Sequence, residues 1–332
     1  MLVATPNLCI DRTQVVTDLV PGAVLRAQEV HVTAGGKGVN VARVLRAHRV
    51  LATVVGLVAA GGGEQLRTLL REEGADLVPV EVPGDVRVNT VLVESTAGRM
   101  TVINEPGSPL SQEDWRGYCA AVARSLPGNR ALACSGSLPP GAPPDAYAQL
   151  VDVAHHLGIP ALVDCAPGAL AACLPAGPDL VSPNLQEAEA AITGDTGHLL
   201  VDAHTDVRAR ASAAATALLD LGASAAAVTA GAHGVALAER GGGAPRWWAS
   251  AGVAVVSTVG AGDAFLGGVL VDVEAQPAGR VSWPRAVLLG SATASASCEQ
   301  LLAGGVDPQR ARELYEHLQK RCAAREGDDD PR

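Results

Sequence analysis

Aromatic residues are scarce in this 332-residue chain: four Trp, three Tyr and one Phe make up 2% of it. A core has to come from Ala, Val and Leu, and the 48% hydrophobic content supplies them. Positive charge is also in deficit. Twenty-five Lys and Arg face 35 Asp and Glu, a net charge of −10, which argues against a nucleic-acid partner or an anionic-membrane surface. Any phosphate ligand must then be met by local cations and helix ends. The longest apolar run near the start, Val50 to Ala60, is too short for a bilayer and is closed by three glycines. No basic segment followed by a long apolar one opens the chain, so no signal peptide is expected and the expected location is cytoplasmic. The seven cysteines include no C-x-x-C pair and sit mostly among apolar neighbours, as reduced core thiols do. The Walker pattern, H-E-x-x-H and G-x-S-x-G are missing, and Phe265 stands where a dinucleotide fingerprint starting at Gly260 needs its third glycine. The eight histidines show no metal spacing.

What is present is a regular alternation. Short aliphatic runs at Leu2 to Ala4, Thr53 to Val58, Ala131 to Ser135, Pro160 to Asp164, Leu180 to Ser182 and Ala225 to Thr229 are separated by helical patterns. That order predicts a mostly parallel sheet covered on both faces. Two stretches read differently. Thr13 to Leu19 with Ala23 to Thr33, and Val86 to Val93 with Met100 to Asn104, look like exposed strand pairs forming a small antiparallel sheet. No solenoid repeat and no linker long enough to split the chain is found. The expected organisation is one domain over 1–325, with the small-sheet strands within about 12–33 and 86–105. The polar stretch 326–332 is expected to be a disordered tail.

Ser257 to Gly268 reads S-T-V-G-A-G-D-A-F-L-G-G. The apolar run Val253 to Val256 leads in and a helical pattern leads out, which places Gly260, Ala261 and Gly262 at a predicted strand-to-helix junction. A glycine-rich turn there can aim backbone N–H groups at an anion, with the helix dipole adding to the pull. Asp263, in the first helical turn, would be the carboxylate that takes a hydroxyl proton during phosphoryl transfer. The same residues also suit a plain helix start with a tight turn and an acidic residue.

A second glycine-rich turn, Gly35-Gly36-Lys37-Gly38, opens another helix. Lys37 works against the dipole there, which makes sense mainly if an anion binds between them. A surface lysine beside a turn is the alternative. Asn40, one turn on, can reach a ligand hydroxyl or simply be solvated. Asn184 and Glu187 form N-x-x-E, a spacing that suits either a hydrated Mg²⁺ near triphosphate oxygens or a helix capping box. Arg26 and Arg87 lie on the exposed strands, each with a fork that fits phosphate or water equally.

Taken together the motifs resemble the ribokinase-like carbohydrate kinases, and within them the phosphofructokinase B branch. They are T-P-N-L-C-I-D, V-P-G-A-V-L-R, A-G-G-K-G-V-N-V-A-R, V-R-V-N, I-N-E-P-G, S-G-S-L-P-P-G, S-P-N-L-Q-E, V-T-A-G-A-H-G and T-V-G-A-G-D-A-F, in that order over about residues 3–300. The resemblance implies a ribokinase-like α/β fold: a mostly parallel central sheet flanked by helices, with a small β-sheet lid over the sugar. It implies Asp263 as base and the N–H groups of Gly260, Ala261 and Gly262 as the anion hole. Asn184 and Glu187 would hold Mg²⁺ with the triphosphate of ATP, and Thr229 and Gly231 would contact ATP. Asp11, Gly36 and Asn40, with Gly35 beside them, would meet sugar hydroxyls. Lys37, Arg26, Arg87 and Ser137 would recognise a sugar that already carries phosphate.

The implied reaction is ATP-dependent phosphorylation of a hexose phosphate to a bisphosphate. Fructose 1-phosphate is the first choice of acceptor, ahead of tagatose 6-phosphate and fructose 6-phosphate. A kinase for an unphosphorylated sugar and a sugar-phosphate-binding regulatory protein are the competing readings. A lid with free edges can pair with a second copy, so a homodimer through the lid is expected. Three departures stand out: Ser182 replaces the usual lysine that contacts nucleotide phosphate, Ser257 replaces a common Asn or Asp, and T-P-N replaces L-N-P.

Overall fold

The alternation of aliphatic runs and helical periods is realised along the whole chain of the computed structural model, which describes residues 1–195, 206–277, 279 and 281–328. The first part runs β1 (Leu2–Ala4), β2 (Cys9–Val16), β3 (Glu29–Gly35), α1 (Lys37–Ala47), β4 (Thr53–Gly61), α2 (Gly63–Glu72), β5 (Asp76–Asp85), β6 (Arg87–Glu94) and β7 (Arg99–Ile103). Then follow α3 (Gln112–Ser125), β8 (Leu132–Gly136), α4 (Ala146–His156), β9 (Ala161–Cys165), α5 (Pro167–Cys173), β10 (Leu180–Val181) and α6 (Leu185–Thr193). The last part is α7 (Val207–Asp220), β11 (Ala225–Thr229), β12 (Val235–Glu239), β13 (Arg246–Trp248), α8 (Ala261–Ala275), α9 (Trp283–Ser297) and α10 (Pro308–Asp328).

Nine strands form one sheet in the order β13-β12-β11-β10-β9-β8-β1-β4-β5. From β11 to β5 all neighbours are parallel, and β12 and β13 are antiparallel additions at one edge. Side-chain alternation splits the core in two, as a sheet buried on both faces requires. Ala161, Val163 and Cys165 of β9 join the cluster formed by α3 to α7, while Leu162 between them joins the cluster of α1, α2, α8 and α9. Small side chains suit this arrangement: Ala211, Ala214 and Ala215 of α7 share one core with Ala226 of β11.

The separate four-stranded sheet has the order β3-β2-β6-β7. It was expected to be antiparallel and is mixed. β3 pairs antiparallel with β2 and β7 with β6, but β2 and β6 at its centre run parallel, Cys9 opposite Arg87 through Val16 opposite Glu94. The chain leaves this sheet after β3 and returns as β6 only after α1, β4, α2 and β5. A crossover of that kind brings a strand back in the same direction, where a tight turn would reverse it.

Other expectations change. Strand β5 was not foreseen; Pro79 and Pro83 break its pattern, and it sits at the sheet edge, where proline is tolerated. Helix α5 was also missed. The run Val253–Val256 is no strand: Val255 and Val256 are 59% and 55% exposed, and the N–H groups of Val256 and Ser257 both donate to Cys298 C=O at the end of α9. Val253 and Val255 line an open cavity instead of joining a sheet. Helix α10 runs to Asp328, into the stretch expected to be a tail, and residues 329–332 lie outside the described residues.

Candidate active site

Ligands of open parallel sheets bind beyond the carboxyl ends of the strands, and there the structure has a cavity of about 1050 Å³. Its floor is made by the ends of β8, β9, β10 and β11 and by the N-termini of α1 and α8. The small sheet supplies a wall through Asp11, Asn89, Val91 and Val102.

Helix α8 starts from Gly260, whose φ of 79° is a left-handed conformation that glycine adopts without strain. A side chain here would also strike Ala303, 2.8 Å from the position a Cβ would take. Of the three N–H groups expected to form an anion hole, that of Ala261 already donates to Thr258 C=O at 3.2 Å. Among the described residues no hydrogen bond from the Gly260 or Gly262 N–H is present, so two donors remain for an anion.

Asp263, in the first turn of α8, is 4% exposed, and Asn40 Nδ2 donates to its Oδ2 at 2.7 Å. Burial pushes its carboxyl up to about 7, and the neighbouring Asp164 and Glu187 add to the rise; Lys37 and the Asn40 hydrogen bond oppose it. A carboxyl at that value can accept a proton near neutral pH with little driving force lost.

Lys37 is one of two lysines in the sequence, Lys320 being the other. As the first residue of α1 it faces a dipole that repels it, and carboxylates compensate. Its Nζ donates to Asp164 Oδ1 at 3.2 Å and lies 3.6 Å from Glu187 Oε1. Burial alone would lower its pKa, but Asp164, Glu187 and Asp263 outweigh that and raise it, so the ammonium stays charged. Three carboxyl groups thus share one cation. Glu187 is itself raised, by burial first and by Asp164, against the pull of Lys37.

Both readings of Asn184 and Glu187 meet in one geometry. Glu187 N–H donates to Asn184 Oδ1 and Asn184 N–H donates to Glu187 Oε2, each at 2.9 Å, a complete capping box at the start of α6. Glu187 still turns Oε1 toward Lys37, and both residues line the cavity. Beside them Asp164, 2% exposed, keeps Oδ2 buried without a hydrogen-bond partner among the described residues, as does Ser182 Oγ. Excess negative charge and an unpartnered carboxylate oxygen fit a hydrated divalent cation, which would be held by Asp164 and Glu187 with Asn184 at the edge.

The profile of the pfkB family of carbohydrate kinases matches residues 1–310. The chain belongs to the pfkB carbohydrate kinase family. It is 36% identical over 276 residues to the 1-phosphofructokinase of Xanthomonas campestris pv. campestris, covering 81% of this chain and 82% of that protein. Among solved structures it is similar to phosphofructokinase-2 from Escherichia coli in complex with fructose-6-phosphate, with a TM-score of 0.80 and 26% identity over 96% of this chain and 99% of that one. A possible 1-phosphofructokinase from Thermotoga maritima shares the fold, with a TM-score of 0.81 at 24% identity over 95% of this chain and 97% of that chain.

As a pfkB kinase the protein is a phosphotransferase acting on a sugar hydroxyl, and the remaining expected residues can be located on that basis. Asp11, Gly36, Asn40, Arg87, Ser137, Ser182, Thr229 and Gly231 all line the cavity with the residues above. Gly35 lies directly behind it. The Asp11 carboxylate packs 2.4 Å from where a Gly35 Cβ would sit, and it accepts from Asn89 Nδ2 at 3.0 Å and from Cys9 Sγ at 3.3 Å. Arg87, 9% exposed, is largely committed: it donates twice to Asn7 C=O, once to Glu105 C=O and once to Asn89 Oδ1. Ser137 Oγ accepts from Asn7 Nδ2 at 3.0 Å, which ties the same corner together. Arg26 is not brought to the cavity; it is exposed between β2 and β3. Asp164, Asn7 and Asn89 line the cavity too and were not expected there. For Asp164 the signal that the sequence offers is a charged side chain near the end of a buried parallel strand.

Proposed function

We propose that this kinase transfers the γ-phosphoryl of Mg·ATP to a free hydroxyl of a hexose phosphate, giving a bisphosphate and ADP, with fructose 1-phosphate as acceptor. The observation that carries the reading is the convergence of Asp263, near neutral in its titration, with two unused N–H donors and Lys37 in one cavity. The choice of acceptor leans on the 36% identity to a 1-phosphofructokinase. The polar corner of Arg87, Asn89, Asn7 and Ser137 supports a substrate with a charged end.

In this reading Asp263 accepts the proton of the attacking hydroxyl while Asn40 holds its second oxygen. The Gly260 and Gly262 N–H groups receive charge developing on the phosphoryl oxygens. Lys37 sits between the carboxylates of β9 and α6, which favours a position against the moving phosphoryl over a grip on the sugar's own phosphate. Asp11 meets sugar hydroxyls, and Thr229 and Gly231 border the nucleotide. Mg²⁺ held near Asp164, Asn184 and Glu187 would neutralise triphosphate charge when bound. The small sheet acts as a lid that keeps water from the phosphoryl group.

ADP release measured over a panel of hexose phosphates, free hexoses and nucleosides tests the proposal. Turnover is expected with fructose 1-phosphate and not with the free sugars; preference for an unphosphorylated sugar would overturn it. A cytoplasmic location, where ATP and sugar phosphates are found, belongs to the same reading, with activity expected in the soluble cell fraction. So does a homodimer through the lid, whose exposed Val30 and Ile103 suit a partner surface; a monomer by light scattering at micromolar concentration would remove it.

A further inference from the structure

Arg43, on α1 one turn after Asn40, has no part in the reaction proposed above, yet it touches three other segments as well as Asn40 on its own helix. Its Nε and Nη2 lie 2.8 and 2.7 Å from Glu73 Oε2. Its Nη1 donates to Asn40 Oδ1 at 2.5 Å and to Ala303 C=O at 3.3 Å, and Nη2 also donates to Ala34 C=O. Four hydrogen bonds and the ion pair with Glu73 therefore hold the guanidinium. Glu73, just past α2, completes the clamp by accepting from Ala34 N–H at 2.9 Å. Both main-chain groups of Ala34, on edge strand β3 directly before Gly35-Gly36-Lys37, are thus held by side chains.

We propose that Arg43, locked by Glu73, is a positioning residue for catalysis: it fixes the Asn40 amide so that Nδ2 faces Asp263, and it ties that orientation to the root of the lid. The reason is the chemistry of an amide. Asn40 can present either its oxygen or its nitrogen to Asp263, and only the nitrogen donates. With Arg43 donating to Oδ1, the flipped orientation would set the amide N–H groups against a guanidinium and the oxygen against a carboxylate, and both contacts would be lost. Ala303 reinforces the lock, because its loop packs against Gly260 on one side and, through Gly304, against the Asn40 backbone on the other. One guanidinium therefore aligns the base, the start of the anion hole and the end of β3. A lysine, with three donors from a single atom, cannot reach Glu73, Ala34 and Asn40 together.

The inference rests on Asp263 acting as base, so the test separates the two claims. Steady-state kinetics of the full chain are measured for Arg43→Met, Arg43→Lys, Asn40→Ala and the Arg43→Met/Asn40→Ala pair, with Asp263→Asn alongside. Both Arg43 variants are expected to lose about tenfold in kcat, as misplacement of a reacting group produces, with KM for ATP within about twofold of wild type. The double variant is expected to turn over no more slowly than Asn40→Ala alone. Losses that multiply in the double variant, or a wild-type kcat in both Arg43 variants, overturn the proposal. Should Arg43→Met fail to fold, Arg43→Lys keeps a cation beside Glu73, and its cycle with Asn40→Ala decides in the same way. An inactive Asp263→Asn with multiplying losses rejects the role of Arg43 alone; an active Asp263→Asn rejects the base assignment.

Discussion

Two helix N-termini stand side by side at the cavity, joined by the Asn40–Asp263 hydrogen bond, and they are built in opposite ways. Helix α8 begins with a left-handed glycine and places an acid, Asp263, in its first turn, with the dipole; α1 begins after Gly36, at φ 114°, and places a cation, Lys37, against its dipole. The first arrangement is self-sufficient: two N–H groups wait for an anion. The second depends on other elements, because Lys37 is tolerated only through Asp164 from β9 and Glu187 from α6. In the proposed reading one N-terminus can receive an anion by its own geometry, and the other only after the sheet has assembled.

The sharpest way to break this comparison is Asp263→Asn. Turnover is expected to fall about 10³-fold or more, the scale of a lost general base, with ligand binding largely kept. Stability moves the other way. The folded carboxyl, near 7, lies above its ordinary 3.8, so between those values the folded state holds a proton that the unfolded chain gives up. The stabilisation this provides is present below about pH 4 and is lost as pH rises through 7. Asp263→Asn should therefore melt higher than wild type at pH 8, with the gap closing toward pH 4. A gap independent of pH, or turnover within a few-fold of wild type, would refute the assigned state of this residue.

Lys37→Met tests the other terminus. If Lys37 meets the moving phosphoryl, kcat falls about 10²-fold, as for one lost donor to transition-state charge, while KM for the sugar phosphate changes far less. If it grips the sugar's own phosphate, KM rises steeply and kcat holds. Steady-state kinetics with the phosphosugar and its unphosphorylated counterpart distinguish the two, and a large KM effect confined to the phosphosugar would return Lys37 to the role expected from sequence.

The contrast between the termini also explains what could be read in advance. Both helix starts were legible, because glycine-rich turns before helical periods are local signals, and so was the parallel sheet. Partners that arrive from distant strands were not. Asp164 looks like the end of a strand until β9 is set beside β10, and Arg43 looks like a surface arginine on α1 until Glu73, Ala34 and Ala303 close around it. Arg26 failed in the reverse direction: its motif pointed to the site, and the chain leaves it exposed between β2 and β3. The run Val253–Val256 misled because apolar residues that face a ligand cavity carry the same pattern as residues that face a core.

Ser182 gives the smallest expected effect and the most direct probe of the proposed nucleotide side. It follows β10, whose Val181 pairs with Val163 of β9, so it stands beside Asp164, and its hydroxyl is buried in the cavity wall without a partner among the described residues. A lysine here would place a second cation next to the carboxyl groups that now share Lys37 alone. Ser182→Lys should lower KM for ATP by up to about tenfold, the worth of one charge-assisted hydrogen bond at the weaker end of its range, with little change in KM for the sugar. The gain should shrink in high salt if the ammonium meets phosphate in partly solvated surroundings. An unchanged KM for ATP would mean that the added ammonium pairs with Asp164 and Glu187 instead, and the acidic cluster, not the nucleotide, would then set what the position can hold.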